Sequence, residues 1–294
     1  MSVMGIRINQ AAAAAALLMA ACGAAPDGVT QDAASPEWVP IPAENLLLID
    51  TEKGPVTVEL NPAFAPEHAA RMRALSASGT MDGQRFYRVI ESFVAQGGLK
   101  DEAAIEDWAT LENENDRPYG GERFVPLGNE DLFAPEVGHI DGFPVGRNAD
   151  LEQEWLLHCP GAMAMARDTD PDSGSTEFYI VLDAQRYLDR NLTIFGRVID
   201  GMEHVQALKR GERAIENGVI QPPEKGDLIE RFRVASDLPE DERPAWEKMD
   251  TRSDAFEAFK TSLRVRDNEF FYRKPPEVLD ICSFTAPVRP AGSD

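Results

Sequence analysis

The sequence predicts a mainly β chain, on three observations. Short runs of strand formers recur between clusters of Gly, Pro, Asp and Ser, at 46–51, 56–60, 86–90, 178–182, 193–199 and 228–235. Helical spacing of apolar residues is confined to a few stretches, notably 67–77, 202–209 and 253–266. Residues 86–98 read F-Y-R-V-I-E-S-F-V-A-Q-G-G and set Arg88 in the middle of a β run. Alternation on a half-buried strand turns such a cation out to solvent, unless it serves a site.

The 294 residues give room for one large domain, or for one domain with additions. A net charge of -22 excludes a nucleic-acid backbone as partner, because phosphate binding needs clustered Lys and Arg. The acidic residues themselves are scattered and read as solvated surface. At the N-terminus Arg7 precedes an uncharged run of Ala, Leu and Met at 11–21, too short to span a bilayer. The sequence Leu18-Met19-Ala20-Ala21-Cys22 resembles a bacterial lipobox. That implies a signal peptide over 1–22, cleavage before Cys22 and its lipidation, and Gly23 in the following position implies outer-membrane sorting. Ordinary secretion with an unmodified cysteine is the alternative. Residues 23–43 read as a flexible tether. In an oxidising compartment Cys159 and Cys282 either pair, fastening the C-terminal extension, or stay two buried thiols.

In chain order, the runs at 46–51 and 56–60 predict a hairpin whose turn is supplied by Gly54-Pro55. Pro66 suits the first turn of a helix over 67–77 that Gly79 stops. Its core stripe is Ala69, Met72 and Leu75, or else Ala70 and Ala74. His68 reads as a surface residue, with no second ligand at metal-binding spacing. The segment 99–157 is longer than an ordinary loop, and its aromatic and Pro-Gly content predicts an irregular, partly packed insertion. His139 and His158, in or beside it, are too isolated to hold a metal. Strands follow at 163–166, 178–182 and 193–199, then a helix at 202–209 ended by Gly211 and a last strand at 228–235. Beyond a polar linker at 239–244, a helix near 253–266 places Phe256, Phe259 and Leu263 on one face, and 278–288 reads as a further strand.

Residues 161–182 run G-A-M-A-M-A-R-D-T-D-P-D-S-G-S-T-E-F-Y-I-V-L, followed by D-A-Q-R-Y-L-D-R-N-L-T-I-F-G. Together with 86–98 they resemble the cyclophilin family of peptidyl-prolyl cis-trans isomerases. The family motif F-H-R-V-I-x-x-F-M-x-Q-G-G matches 86–98, M-A-N/R … S-Q-F-F-I matches 165–180, and L-D-x-x-x-x-x-F-G-x-V-x-x-G-M matches 188–202. The resemblance covers about 46–235 with one long insertion. It implies a closed antiparallel β-barrel of about eight strands capped by two helices, occupying 44–236, with the insertion at about 99–157 and an extension over 237–294. It also implies rotation of X-Pro bonds in proline-containing polypeptides, with no cofactor and no metal. A monomer is expected, periplasmic and touching the membrane only through lipidated Cys22.

An X-Pro bond turns slowly because amide resonance has to be lost, a barrier of roughly 18–20 kcal/mol. A catalyst needs only to hold the twisted bond better than either planar isomer. By resemblance Arg88 is the catalytic cation, donating to the prolyl nitrogen as it pyramidalises. Phe93, Val94, Tyr179 and Leu188 match proline-pocket positions, and Gln96, Ala166 and Arg167 match positions that hold the substrate main chain. Glu177 and Tyr187 fall at substrate-binding positions where the family usually has Gln and, in many members, Trp. Val94, Tyr87, Tyr179 and Leu192 likewise replace Met, His, Phe and His. Two other readings stand beside the enzyme: a barrel that binds peptides without turning them, and a scaffold whose C-terminal extension covers the groove.

Overall fold

The structure is a computed structural model that describes residues 37–293. Cys22, Gly23 and the expected signal peptide lie outside the described residues. The expected tether does not hold to its end, because Trp38–Pro40 (β1) pairs as a strand.

The barrel begins with the hairpin of β2 (Leu46–Thr51) and β3 (Gly54–Leu60). Thr51 pairs with Gly54, so the turn consists of Glu52 and Lys53, not of the Gly-Pro pair. Helix α1 (Pro66–Ser78) follows, with proline in its first turn and Gly79 closing it at φ 70°. It buries Ala69, Met72 and Leu75 and leaves Ala70 and Ala74 to solvent. His68 is also buried, which corrects the surface reading: its Nδ1 lies 2.7 Å from a carboxylate oxygen of Glu114 in the insertion.

Next come β4 (Arg85–Val89) and β5 (Val94–Gly98), then a short helix α2 (Glu102–Glu106). Gly98 has φ +136°, and a Cβ there would stand 2.7 Å from the Glu177 backbone, so the second glycine of the pair is required by close approach of the neighbouring chain.

The insertion is not irregular. It folds as β6 (Arg117–Pro118), β7 (Val125–Pro126), β8 (Glu136–Ile140), β9 (Phe143–Asn148) and β10 (Gln153–Leu156), a five-stranded sheet in the order β6-β10-β9-β8-β7. Glu154, fully buried, takes Arg117 on one oxygen at 3.0 Å and Arg147 on the other at 2.8 Å. Buried carboxylates persist when paired in this way.

The chain returns to the barrel through β11 (Ala162–Met165), β12 (Phe178–Val181) and β13 (Ile194–Asp200). Helix α3 (Met202–Gln206), shorter than expected, and β14 (Ile229–Val234) follow. These strands form one antiparallel sheet of eight, ordered β14-β2-β3-β13-β11-β12-β5-β4. Its two edges meet where Arg85 bridges Leu228, with Ile229 N–H donating to the Gln84 carbonyl at 2.8 Å. The expected mainly β barrel with about eight strands is therefore the fold. Inside it pack Phe86, Met163, Phe178, Phe195 and Phe232, with Met72 and Leu75 of α1.

In the extension, β15 (Trp246–Met249) and β16 (Val288–Pro290) join β1 in a second small sheet, ordered β1-β15-β16, and α4 (Asp254–Arg264) lies between them in sequence. Residues 278–287 form no strand, contrary to the expectation for 278–288, of which only Val288 enters β16. Cys282 within them is disulfide-bonded to Cys159, and Leu279 and Ile281 pack with Trp155 and Leu157 of the insertion.

Candidate active site

Arg88 on β4 lies directly across from Gln96 on β5, Gln96 across from Tyr179 on β12, and Tyr179 across from Ala164 on β11. Opposed residues of antiparallel strands share a face, so one row across four strands sets guanidinium, amide and phenol side by side. Val94, two residues before Gln96, joins the same face. A concavity of about 200 Å³ opens on this row. Phe93, Val94, Tyr179 and Leu188 supply apolar walls, Arg88 and Gln96 a polar one, and Ala166, Arg167 and Leu192 complete it.

Arg88 is held as a fork. Its Nη1 donates to Gln96 Oε1 at 2.9 Å and its Nε to the Asn217 carbonyl at 2.8 Å, which leaves Nη2 without an acceptor among the described residues. Its Cζ stands 5.7 Å from the Phe93 ring centroid, and that of Arg213 stands 5.9 Å from the same ring. Burial lowers the Arg88 pKa from its ordinary value, Tyr87 opposes that and Arg213 adds to it. A guanidinium stays charged under such a shift at any working pH.

Gln96 is saturated. Its amide nitrogen donates to Tyr87 Oη at 2.8 Å and to Glu177 Oε2 at 3.2 Å while its oxygen accepts from Arg88. Burial first and Glu177 second push the Tyr87 phenol upward, so it stays protonated.

Behind the apolar wall, Tyr179 Oη and His158 Nε2 are 2.9 Å apart, and His158 Nδ1 is 3.1 Å from Asp189 Oδ1. A carboxylate only accepts, so Nδ1 carries a proton, and in the neutral ring the phenol donates to Nε2. Burial pushes the Tyr179 phenol up and keeps that donor in place. Asp189 Oδ2 takes Arg186 Nε at 2.6 Å, and the same guanidinium reaches both oxygens of Asp131 in the insertion at 3.1 and 3.0 Å. The insertion is thereby wired to the wall of the pocket.

Of the residues expected in the site, Arg88, Phe93, Val94, Gln96, Ala166, Arg167, Tyr179 and Leu188 meet around the concavity. Arg167 turns its guanidinium onto the Asn191 carbonyl at 2.7 Å and the Asp168 carbonyl at 2.7 Å. Glu177 does not line the concavity but anchors Gln96 from behind. Tyr187, expected at a substrate-binding position, is 61% exposed and lines a neighbouring cleft, not the concavity. Among the described residues none beyond Ala235 lines the concavity, so the described part of the extension does not cover it. The sequence reading missed Asn217, Arg213 and His158. The first two come to Arg88 only because the 211–220 segment folds back on β4, with Gly211 N–H on the Val89 carbonyl at 2.7 Å and Ile220 N–H on the Tyr87 carbonyl at 2.9 Å.

A closed antiparallel barrel with a cation beside an apolar notch on its wall is the frame of a prolyl-peptide isomerase. The family model described as cyclophilin type peptidyl-prolyl cis-trans isomerase/CLD matches residues 46–234, and the chain belongs to that family. Its relatives include a "Probable peptidyl-prolyl cis-trans isomerase" of Brucella suis, 30% identical over 220 residues, spanning 74% of this chain and 93% of the relative. A peptidyl-prolyl cis-trans isomerase of Streptomyces antibioticus is 24% identical over 196 residues, 63% of this chain and 96% of its own. Among solved structures, the crystal structure of cyclophilin AquaCyp293 from Hirschia baltica matches with a TM-score of 0.69 and 29% identity, covering 86% of this chain and 92% of that one.

Proposed function

We propose that this isomerase turns X-Pro bonds of unfolded polypeptides in the cell envelope, with Arg88 as the catalytic residue. The observation that carries the reading is the Arg88 fork: two of its donors are spent on Gln96 and Asn217, and the remaining Nη2 belongs to a residue lining an apolar concavity. When the bound amide twists, its nitrogen gains a lone pair that the planar form lacks, and a preorganised donor binds only that state. Phe93, Val94, Tyr179 and Leu188 hold the pyrrolidine ring, and Gln96, Ala166 and Arg167 steer the main chain. An acceleration of five powers of ten asks for about 7 kcal/mol of differential binding. In a proline-peptide isomerisation assay on the full chain, Arg88→Ala is expected to lower kcat/KM by about 100-fold or more. Equal rates for the two proteins sink the assignment.

The location we propose is periplasmic, outer-membrane-tethered through lipidated Cys22, with the protein acting as a monomer. The lipobox-like 18–22 segment supports it. Mass spectrometry of the mature N-terminus is expected to find acyl chains on Cys22, and an unmodified cysteine refutes the anchor. One observation favours a second reading, peptide binding with little turnover: the amide of Gln96 is already occupied by Glu177.

A further inference from the structure

The 3-10 turn Arg186–Leu188 has two sides: Leu188 lines the proline concavity, while its neighbours Arg186 and Tyr187 line a second cleft of about 260 Å³. The far wall of that cleft comes from the insertion, at Leu132 and Phe133, and from the extension, at Leu279 and Asp280. Resting on the isomerase reading above, we propose that this cleft is a second docking surface for the same substrate chain. It takes an extended segment flanking the bound proline, one that carries aromatic or aliphatic residues together with Lys or Arg.

Three features argue for it. Leu132 is 97% exposed, Phe133 55% and Tyr187 61%, three large apolar side chains that line one cleft and stand in water. The group is built rather than loose. Asp131 Oδ1 accepts the N–H groups of Phe133 and Ala134, each at 2.9 Å, and its carboxylate is gripped by Arg186, whose guanidinium stands 5.3 Å from the Phe133 ring centroid. The turn between the two concavities is pinned as well, since Gln185 Nε2 donates to the Ser92 carbonyl at 3.0 Å beside Phe93. A peptide leaving the proline pocket over Leu188 therefore meets a fixed surface. Charge supplies the selectivity: Arg186 is neutralised by Asp131 and Asp189, whereas Glu130 and Asp280 on the rim are exposed carboxylates. They favour a cationic flank.

The test compares the full chain with a Glu130→Lys/Leu132→Asp double variant, both positions exposed and outside the proline concavity. Substrates are a proline tetrapeptide, a long peptide with the same X-Pro flanked by Phe and Lys, and the long peptide with Glu in place of Lys. In the parent, kcat/KM for the Phe/Lys peptide is expected to exceed that for the tetrapeptide by about fivefold or more, through KM, and to drop toward it when Lys becomes Glu. The double variant should lose that advantage and keep tetrapeptide turnover within about twofold. No advantage in the parent, or an advantage that survives in the variant, overturns the proposal. If the parent turns over neither substrate, the isomerase reading fails separately, and equilibrium binding of the labelled Phe/Lys peptide then decides. Binding about tenfold weaker in the variant supports the cleft, and equal binding overturns it. A parent dimer in sedimentation that the double variant dissolves also overturns it, because a second copy would then be the occupant.

Discussion

Gln96 offers two N–H groups and one oxygen, and Tyr87, Glu177 and Arg88 occupy all three. A substrate carbonyl reaching for the Gln96 amide has to displace one of them. The bond to Glu177 is charge-assisted, roughly twice as strong as its neutral counterpart, so it is the stronger competitor. Glu177→Gln keeps the shape, weakens that bond by roughly 0.5–1 kcal/mol, and is expected to raise kcat/KM about twofold to fivefold in the peptide assay. An unchanged or lower kcat/KM shows that Glu177 does not restrain Gln96. The cation itself was legible in the sequence only through its motif: alternation alone turns Arg88 out to solvent, and the match of 86–98 to the family pattern is what marked it as a site residue. Its partner Asn217 was not, because 129 residues separate the two and no local pattern marks a backbone carbonyl as an acceptor.

At the scale of elements, what could be read was whatever short-range chemistry decides. The hairpin β2–β3, helix α1 with its proline start and glycine stop, and strands β12 and β14 follow from propensity and turn residues. The insertion escaped because its strands are short, two of them only two residues long, and because its sheet is held by long-range pairs such as Arg117 with Glu154, 37 positions apart. Segment 278–287 failed for the opposite reason: its apolar residues read as a strand, but the disulfide and the burial of Leu279 and Ile281 use it as an irregular clasp. The insertion is also part of the site. Ile140, Phe143, Val145 and Leu156 share one apolar cluster with Val94 and Tyr179, so the pocket wall is backed by the inserted sheet. The His158 relay adds a polar tie across the same boundary, from Tyr179 through Asp189 and Arg186 to Asp131.

Barrel, insertion and extension are locked together by a charge cluster in which Glu59, Arg197 and Lys248 are buried and Asp141 is exposed. Glu59 of the barrel accepts Arg197 Nε at 2.9 Å and Lys248 of the extension at 2.6 Å, and the same lysine reaches Asp141 of the insertion at 2.7 Å. Close by, His139 on β8 packs edge-on against Phe256 of α4 at 5.1 Å and tilted against Phe284 at 5.4 Å, and neither of its ring nitrogens has a hydrogen-bond partner among the described residues. Burial pushes its pKa down from 6.5 to about 3, and the cations Arg197 and Lys260 push the same way. The folded state therefore holds His139 neutral where the unfolded chain binds a proton. Between pH 6.5 and 3 the unfolded state is the one that gains on acidification, at about 1.4 kcal/mol per pH unit. Above pH 6.5 the group is neutral in both states and contributes no slope. His139→Leu removes both the orphan nitrogens and the titration. On lowering the pH from 7 to 4.5, the parent is expected to lose about 2–3 kcal/mol more stability than the variant in urea unfolding. Carboxylates paired in the fold titrate alike in both proteins, so the difference between the two curves isolates the histidine. Parallel curves would show that His139 is protonated, or reached by water, in the folded protein, and that the junction of the three segments is looser than its packing indicates.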